Sequence, residues 1–481
     1  MGTRIPSKWT LAALALLMLA ICGCVTRSQE AKLGAEEAKK VEQTMGLLRD
    51  AKLEPYVRAI GEKLAAVSDL PEGPWHFMVV DVPEPNAFAL PGGFIYVTRG
   101  LVALMNSEDE LAGVIGHEIA HVTARHASKR IGAAIFTAPV SIATGIAGLA
   151  VSVVSPSLGN VLAGTGPLLT GGLVIAPFSR KQENQADEIG QELAARAGYD
   201  PAGISRFLHT LDREVTLLAG EERSFHFLDS HPMTPGRVET TAKRAKGLEP
   251  AAGRPVARSH SDFLGRIEGI VVGEDPAQGV FEEQKFMHPE LELALDFPVG
   301  WKTENTAGAV GAISPGQDAL VALRIAAKDS TLDATLAQMQ KEQSDLRFER
   351  FEIRGLSAAR TEVSSRGHYA RITLIGYRGD VFAILGQSPE RSAKQYAAVF
   401  DATALSVRAL RNSERGAIRE SRLRVRTAHS GETPADIAKR TDSAWKPEQL
   451  AVANAVQVDD AFGQGQEVKA SIEQAYTARA R

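Results

Sequence analysis

The five residues His117-Glu118-Ile119-Ala120-His121 constrain this chain more than any other feature. On a helix, histidines four residues apart leave the same face, so both imidazoles can share one metal ion. Glu118, beside the first histidine, is then in reach of a water held at that ion. With 11 histidines in 481 residues, chance gives such a match in roughly one chain in a hundred, so the surroundings must decide. They favour a helix. Ser107-Glu108-Asp109-Glu110 has the S-x-x-E pattern of a capping box. Leu111, Val114, Ile115 and Ile119 follow at helical spacing and give that helix a buried face. The competing reading is a capped core helix with incidental histidines.

Two histidines leave a tetrahedral ion short of ligands. Cysteine cannot supply them. The chain has two, Cys22 and Cys24, and no thiol from Val25 to Arg481. That scarcity also excludes a disulfide scaffold. The segment Ser179 to Gly190 offers Glu183 and Asp187, four apart on one helix face. Glu183 is a candidate third ligand. Asp187 is a candidate acceptor for the outer N–H of a ligand histidine. Spacing alone describes a solvated acidic face equally well. His126, five residues past His121, is turned off the ligand face by helical geometry and reads as a structural residue one layer behind the ligands.

The N-terminus reads as an address. Arg4 and Lys8 precede an apolar run, Leu11–Cys22, of signal-peptide length and too short for a comfortable membrane span. Ile21-Cys22-Gly23-Cys24 resembles a bacterial lipobox. The resemblance implies a signal peptide at 1–23, cleavage before Cys24 and acylation of its thiol. The alternative is an uncleaved apolar anchor. Cleavage removes the two cations Arg4 and Lys8, taking the formal charge from −4 to −6. Multiple acyl chains hold a protein on a membrane far better than one. Val25 follows the cysteine where an aspartate would suggest inner-membrane retention, which favours the outer membrane. The near balance of 54 basic and 58 acidic residues excludes a strongly basic nucleic-acid binder.

Along the chain, residues 26–70 are spaced as helices, and Phe77–Asp81 and Phe94–Val97 as strands. Helices dominate to about residue 248. From Ile131 to Ser179 no charged residue occurs, while Arg130 and Arg180 flank the segment. Ser155–Asn160 divides it into two apolar arms. Their length admits a transmembrane hairpin. Their Gly, Ala, Ser and Thr content, and basic flanks on the exported side, favour a buried or membrane-touching helical hairpin. A Pro/Gly/Ala-rich stretch marks a boundary near 250, and strands mix with helices from about 290 to 411. The expected division is a peptidase-like domain at 24–250, with 131–179 inserted, a wrapping linker at 251–284, an α+β domain at 285–411 and a small module at 420–475. The fold class is α+β, with a mainly helical first domain carrying a small sheet.

Four motifs together resemble the BepA- and HtpX-type zinc metalloendopeptidases of the gluzincin group. They are Pro85 to Val97, Gly116 to His126, Glu183-x-x-x-Asp187, and Ser230-His231-Pro232 with Arg237. The match covers roughly residues 30–248. It implies one Zn2+ per chain, held by His117, His121 and Glu183, with Glu118 as catalytic base and Asp187 behind a ligand. It implies that His231 can approach the metal as a fourth, inhibitory ligand. It also places Arg237 near the site, where it or His231 would stabilise an oxyanion. The strand Phe94, Ile95, Tyr96 and Val97 could present its edge to an extended peptide, giving affinity with little sequence specificity. An ordinary sheet edge is the alternative. The expected function is quality control: a lipid-anchored endopeptidase on the periplasmic face of the bacterial cell envelope, cleaving unfolded or misassembled envelope proteins. Alternatives are an envelope chaperone or scaffold with a latent zinc site, and a peptidoglycan-binding protein.

Residues 285–411 are similar to PsbP-like α+β domains and carry no catalytic constellation. Ser430-Gly431-Glu432-Thr433, Ile437-Ala438, Leu450-x-x-x-Asn454 and Gly465 to Lys469 resemble a degenerate LysM repeat, which implies binding of N-acetylglucosamine polymers such as peptidoglycan. Pro434 stands where that family usually has Leu, which weakens the expected helix start.

Overall fold

A computed structural model describes residues 26–127, 177–218, 227–233, 236–253, 255–365 and 367–478. The expected signal peptide, Cys24 and most of the segment 131–179, expected as a helical hairpin, lie outside these residues. The described part is a mixed α+β structure. No helix among the described residues is long and apolar enough to cross a membrane.

The first part is built around one buried helix. Helices α1 (Arg27–Met45) and α2 (Leu53–Ala65) precede a small sheet of β1 (His76–Val80), β2 (Ala87–Leu90) and β3 (Phe94–Thr98). A short α3 (Arg99–Leu104) leads to α4 (Glu108–Thr123), which carries both motif histidines. Ser107 caps α4 by accepting from the Glu110 N–H at 3.2 Å. Glu110 completes the pattern one residue early, accepting from the Asn106 N–H at 2.7 Å instead of the Ser107 N–H. Leu111, Val114, Ile115 and Ile119 have no exposed surface. Each such side chain contributes about 2 kcal/mol by leaving water.

Helices α5 (Arg180–Arg196) and α6 (Gly203–Leu217) pack on α4. The α4–α5 crossing is close because both helices lack a side chain where they meet. A Cβ on Gly190 would lie 2.8 Å from the His117 backbone nitrogen, and one on Gly116 would lie 2.9 Å from the Gly190 carbonyl oxygen. Two short helices, α7 (Phe227–Ser230) and α8 (Arg237–Ala245), close this part.

The sheet order corrects one expectation. β3 lies in the middle, parallel to β1 and antiparallel to β2. Both edges of Phe94, Ile95, Tyr96 and Val97 are therefore hydrogen-bonded, and this strand cannot receive a peptide. Its buried pattern at Ile95, Tyr96 and Val97 is that of a central strand, since both faces are covered. The end strand, β2, is the one packed against α4.

After α9 (His260–Ile267) and β4 (Val271–Val272), the strands β5 (Val280–Glu282), β6 (Lys285–His288) and β7 (Leu293–Asp296) lead into a larger unit. β8 (Lys302–Asn305), β9 (Val310–Ile313), β10 (Leu320–Ala327), β11 (Glu349–Ile353), β12 (Leu356–Ser365), β13 (His368–Tyr377) and β14 (Asp380–Pro389) form a seven-stranded antiparallel sheet ordered β11-β12-β13-β14-β10-β9-β8. Along β14, Phe382 and Ile384 join one core, while Val381, Ala383 and Leu385 join the other. Helix α10 (Leu332–Glu342) covers the second face and α11 (Ala393–Ser406) the first.

After β15 (Arg408–Ala409) and α12 (Asn412–Ala417), the last part runs β16 (Arg419–Thr427), α13 (Pro434–Thr441), α14 (Pro447–Ala453) and β17 (Glu467–Ala475), with β16 and β17 antiparallel. Pro434 does not weaken α13. It occupies the first helical position, where its missing N–H costs nothing, and Thr433 and Asp436 cap reciprocally at 3.3 and 2.9 Å. The short strand β4 (Val271–Val272) pairs with β16.

This part is docked on the first by a buried lysine. Lys469, 1% exposed, donates to the carbonyl oxygens of Ala103, Leu104 and Met105 at 3.0, 3.1 and 2.6 Å. Burial lowers its pKa to about 7, against the pull of Glu110. The unfolded chain holds that proton up to about 10.4, so between the two values it binds more protons than the folded chain. Stability should therefore rise with pH across this window, by up to about 1.4 kcal/mol per unit. Urea unfolding between pH 7 and 9 should show a slope in the native protein that is lost in Lys469→Met.

Candidate metal centre

Four buried side chains from three segments converge behind α4. His117 and His121 come from α4, Glu183 from the first turn of α5, and His231 follows α7. One ligand atom from each lies within 4.8 Å of all the others. His121 Nε2 is 3.0 Å from His117 Nε2, and His117 Nε2 is 3.2 Å from His231 Nδ1. Glu183 Oε1 is 3.1 Å from His231 Nδ1 and 3.5 Å from His121 Nε2, and Glu183 Oε2 is 3.6 Å from His117 Nε2. Burial, then the charges of His117, His231 and His126, hold the His121 pKa well below its ordinary value, so this imidazole stays neutral with a lone pair to offer.

Each inner group has an outer partner. Asp187, one turn past Glu183 on α5, places Oδ1 2.9 Å from His117 Nδ1. Arg237, the first residue of α8, forks onto Asp187 with two bonds of 2.8 Å, and its Nη1 reaches Glu183 Oε2 at 3.0 Å. Against the cost of burial, His117 and Arg237 hold the Asp187 carboxyl well below the usual range. Glu183 is lowered too, against burial, by His231 first and then by His117 and Arg237. The capping box of α5, Ser179 with Gln182, fixes where this helix starts and so where Glu183 points.

Glu118 is fully buried, and neither carboxylate oxygen has a hydrogen-bond partner among the described residues. Its Oε1 is 3.4 Å from His231 Nε2. Burial, and to a lesser extent Glu183, push its pKa up to about 8. Orphaned buried carboxylate oxygens are costly, as are nitrogen lone pairs facing one another at 3.0 Å. A divalent cation between these groups removes both costs. The donors are nitrogen and oxygen without sulfur, a set that suits zinc.

The structure thus brings together Glu118, His117, His121, Glu183, Asp187, His231 and Arg237. It separates the strand Phe94–Val97 from any substrate role. Arg237 has its guanidinium engaged by two carboxylates, those of Asp187 and Glu183. Two aromatic residues went unnoticed in the sequence. Phe178 stacks on His121 with centroids 4.0 Å apart, and Phe227 stacks on His231 at 4.4 Å. Phe227 had a local signal, being one helical turn before His231, whose N–H it receives at 2.9 Å. Phe178 had none, because its approach depends on a long-range bond from its own N–H to the Ser230 carbonyl at 3.0 Å.

Residues 51–245 match the family model described as Peptidase family M48. The chain is 28% identical over 235 residues to the beta-barrel assembly-enhancing protease of Escherichia coli strain K12, covering 49% of this chain and 47% of that protein. It is 33% identical over 183 residues to the mitochondrial metalloendopeptidase OMA1 of Schizosaccharomyces pombe, covering 38% of this chain and 50% of that one. The chain thus spans about half the length of the curated relatives it matches. The solution structure of cyanobacterial PsbP from Synechocystis overlaps 28% of this chain and 98% of that one at 17% identity, with a TM-score of 0.23, too low to relate the folds.

Proposed function

We propose that this chain is a zinc metalloendopeptidase of the bacterial cell envelope, anchored by lipid on Cys24 to the outer membrane, that cleaves unfolded or misassembled envelope proteins. The observation that carries it is the convergence of His117, His121 and Glu183 beside the orphaned Glu118 carboxylate, inside the segment that matches Peptidase family M48. The name of the E. coli relative ties that protein to β-barrel assembly, which supports outer-membrane proteins as the substrate class.

Bound zinc supplies Lewis acidity, making water nucleophilic near neutral pH and polarising a peptide carbonyl. The side chains do the rest. Asp187 takes the outer N–H of His117 and so keeps the inner nitrogen unprotonated. Arg237 neutralises Asp187 and Glu183 so that both stay ionised when buried. Glu118 takes a proton from the attacking water and later gives it to the leaving amine. The walls formed by Phe178 and Phe227 exclude bulk water, which strengthens each of these interactions.

His231 supports a second reading, a latent enzyme that acts as a chaperone or scaffold until opened. Its Nδ1 joins the ligand cluster while its Nε2 faces Glu118, so it stands where water and substrate must enter. In His231→Ala, casein cleavage should rise several-fold with zinc content unchanged. Unchanged activity defeats the latch, and a fall assigns His231 to transition-state stabilisation.

The β-α-α-β order of residues 419–475 supports the LysM-like reading and, with it, peptidoglycan as a partner. Deleting this part would remove Leu423 and Val452, which belong to the main core of the first part, and expose the apolar residues they pack against. The full chain is therefore the reagent to test. Retention on purified sacculi that a soluble N-acetylglucosamine oligomer releases would support glycan binding, and no retention would end it.

A further inference from the structure

We propose that His126 and Gln185 are positioning residues that fix the tautomer of His121 and so prepare its inner nitrogen for metal. This rests on the reading of His117, His121 and Glu183 as a metal site. The structure places His126 Nδ1 3.0 Å from His121 Nδ1, and His126 Nε2 3.2 Å from Gln185 Oε1.

The proton positions follow from the acceptor at the end of the chain. A side-chain amide oxygen only accepts. His126 must therefore carry its proton on Nε2 to meet Gln185. A neutral imidazole with Nε2–H has a lone pair on Nδ1. Across the 3.0 Å separation that lone pair meets His121 Nδ1, which completes the bond by carrying the N–H. His121 Nε2 then has a lone pair, and it is the atom that points into the cluster. The relay does for His121 what Asp187 does for His117, but with neutral groups.

The backbone shows how His126 comes to be there. On a continued helix, a residue five past His121 would sit about 140° away from it. Instead α4 ends at Thr123, and Arg125 adopts a left-handed conformation with φ of 55°. A non-glycine residue in that region is strained. The reversal tucks His126 back under His121, leaving it 1% exposed. Arg125 is held in the strained turn by Glu30 of α1, which accepts from its Nε at 2.8 Å and its Nη2 at 2.6 Å. Gln182 also donates to the His126 carbonyl oxygen at 3.4 Å, tying the turn to α5. Gln185 itself is exposed, so its variants can change the relay without opening the core.

The test measures metal affinity and the visible spectrum of the cobalt-loaded full chain, together with the melting temperature of metal-free protein. In His126→Phe, affinity for cobalt and zinc should fall 10- to 100-fold, with altered cobalt bands. His126→Gln keeps an acceptor oxygen and should recover most of the loss. Gln185→Leu should weaken binding several-fold, Gln185→Glu should not, and all Gln185 variants should melt as the native protein does. Asn184→Glu, on the neighbouring exposed position, controls for charge and should leave affinity unchanged. Affinity within two-fold of native in both His126→Phe and Gln185→Leu, with unchanged bands, overturns the proposal while leaving the metal site standing. A native protein that binds neither metal, or binds them no better than His117→Ala does, overturns the site itself and the relay with it.

Discussion

Glu118→Gln is expected to lower kcat for casein cleavage by about 1,000-fold or more while the protein still binds one zinc per chain. A positioned acid–base group supplies roughly 10²- to 10⁴-fold, and here the same side chain would act at two proton transfers. Glutamine has the same shape but cannot take a proton, so the loss is chemical. The ligand atoms on His117, His121 and Glu183 are untouched by the change. His117→Ala should behave in the opposite way, losing zinc and activity together. Inductively coupled plasma analysis beside a cleavage assay separates the two. A Glu118→Gln protein that cleaves at the native rate would remove Glu118 from the mechanism.

Arg237→Leu is expected to destabilise the metal-free protein by about 3–5 kcal/mol. Removing one member of a buried ion pair leaves the other charge without compensation, which is worth this much. Here two carboxylates lose a partner at once, since Arg237 spans Asp187 and Glu183. Both carboxyls are held below the ordinary range, against burial, with help from Arg237. The stability they contribute is present above their unfolded values of about 4 and is lost as pH falls through the lower folded values. Arg237→Leu should move acid unfolding to higher pH. Zinc should restore part of the stability, because it replaces the lost cation beside Glu183 and binds only the folded chain. Arg237→Lys keeps the charge but not the fork, and should fall between the two. Urea melts with and without zinc provide the measurement. Native stability with a collapsed kcat would instead support Arg237 as an oxyanion stabiliser.

The part of the site legible in the sequence is the part encoded at helical spacing. His117 and His121 announce themselves because four residues make one turn, and Ser107 shows where α4 begins. Glu183 and Asp187 show the same spacing, yet spacing could not tell a ligand pair from a solvated face. Burial made the difference: both are nearly inaccessible, and Arg237 neutralises them. In the sequence, Gly116 and Gly190 gave no hint that they are the contact point between the two ligand-bearing helices.

One reading failed, and a second reached the right place by an incomplete argument. Phe94–Val97 is a strand as its β-branched and aromatic residues require, but strand order is a matter of pairing between segments, and pairing put it in the centre. His126 was placed behind the ligands rather than among them, and it lies there, but helical arithmetic does not show how it arrives, since such arithmetic holds only while the helix continues. Arg125, held left-handed by Glu30 95 residues away, ended it and returned His126 to the metal ligands.

By itself the sequence determined the chemistry: an H-E-x-x-H helix, a donor set without thiols and the acidic pair that could complete it. Local periodicity and residue type carry that information, because they act within one or two turns of the chain. Tertiary structure decided which partners stand behind each ligand, which strand is central, and that His231 closes on Glu118. These depend on segments tens to hundreds of residues apart meeting in a dry interior. There each buried charge or lone pair must find a partner, and only the folded chain shows which one it finds.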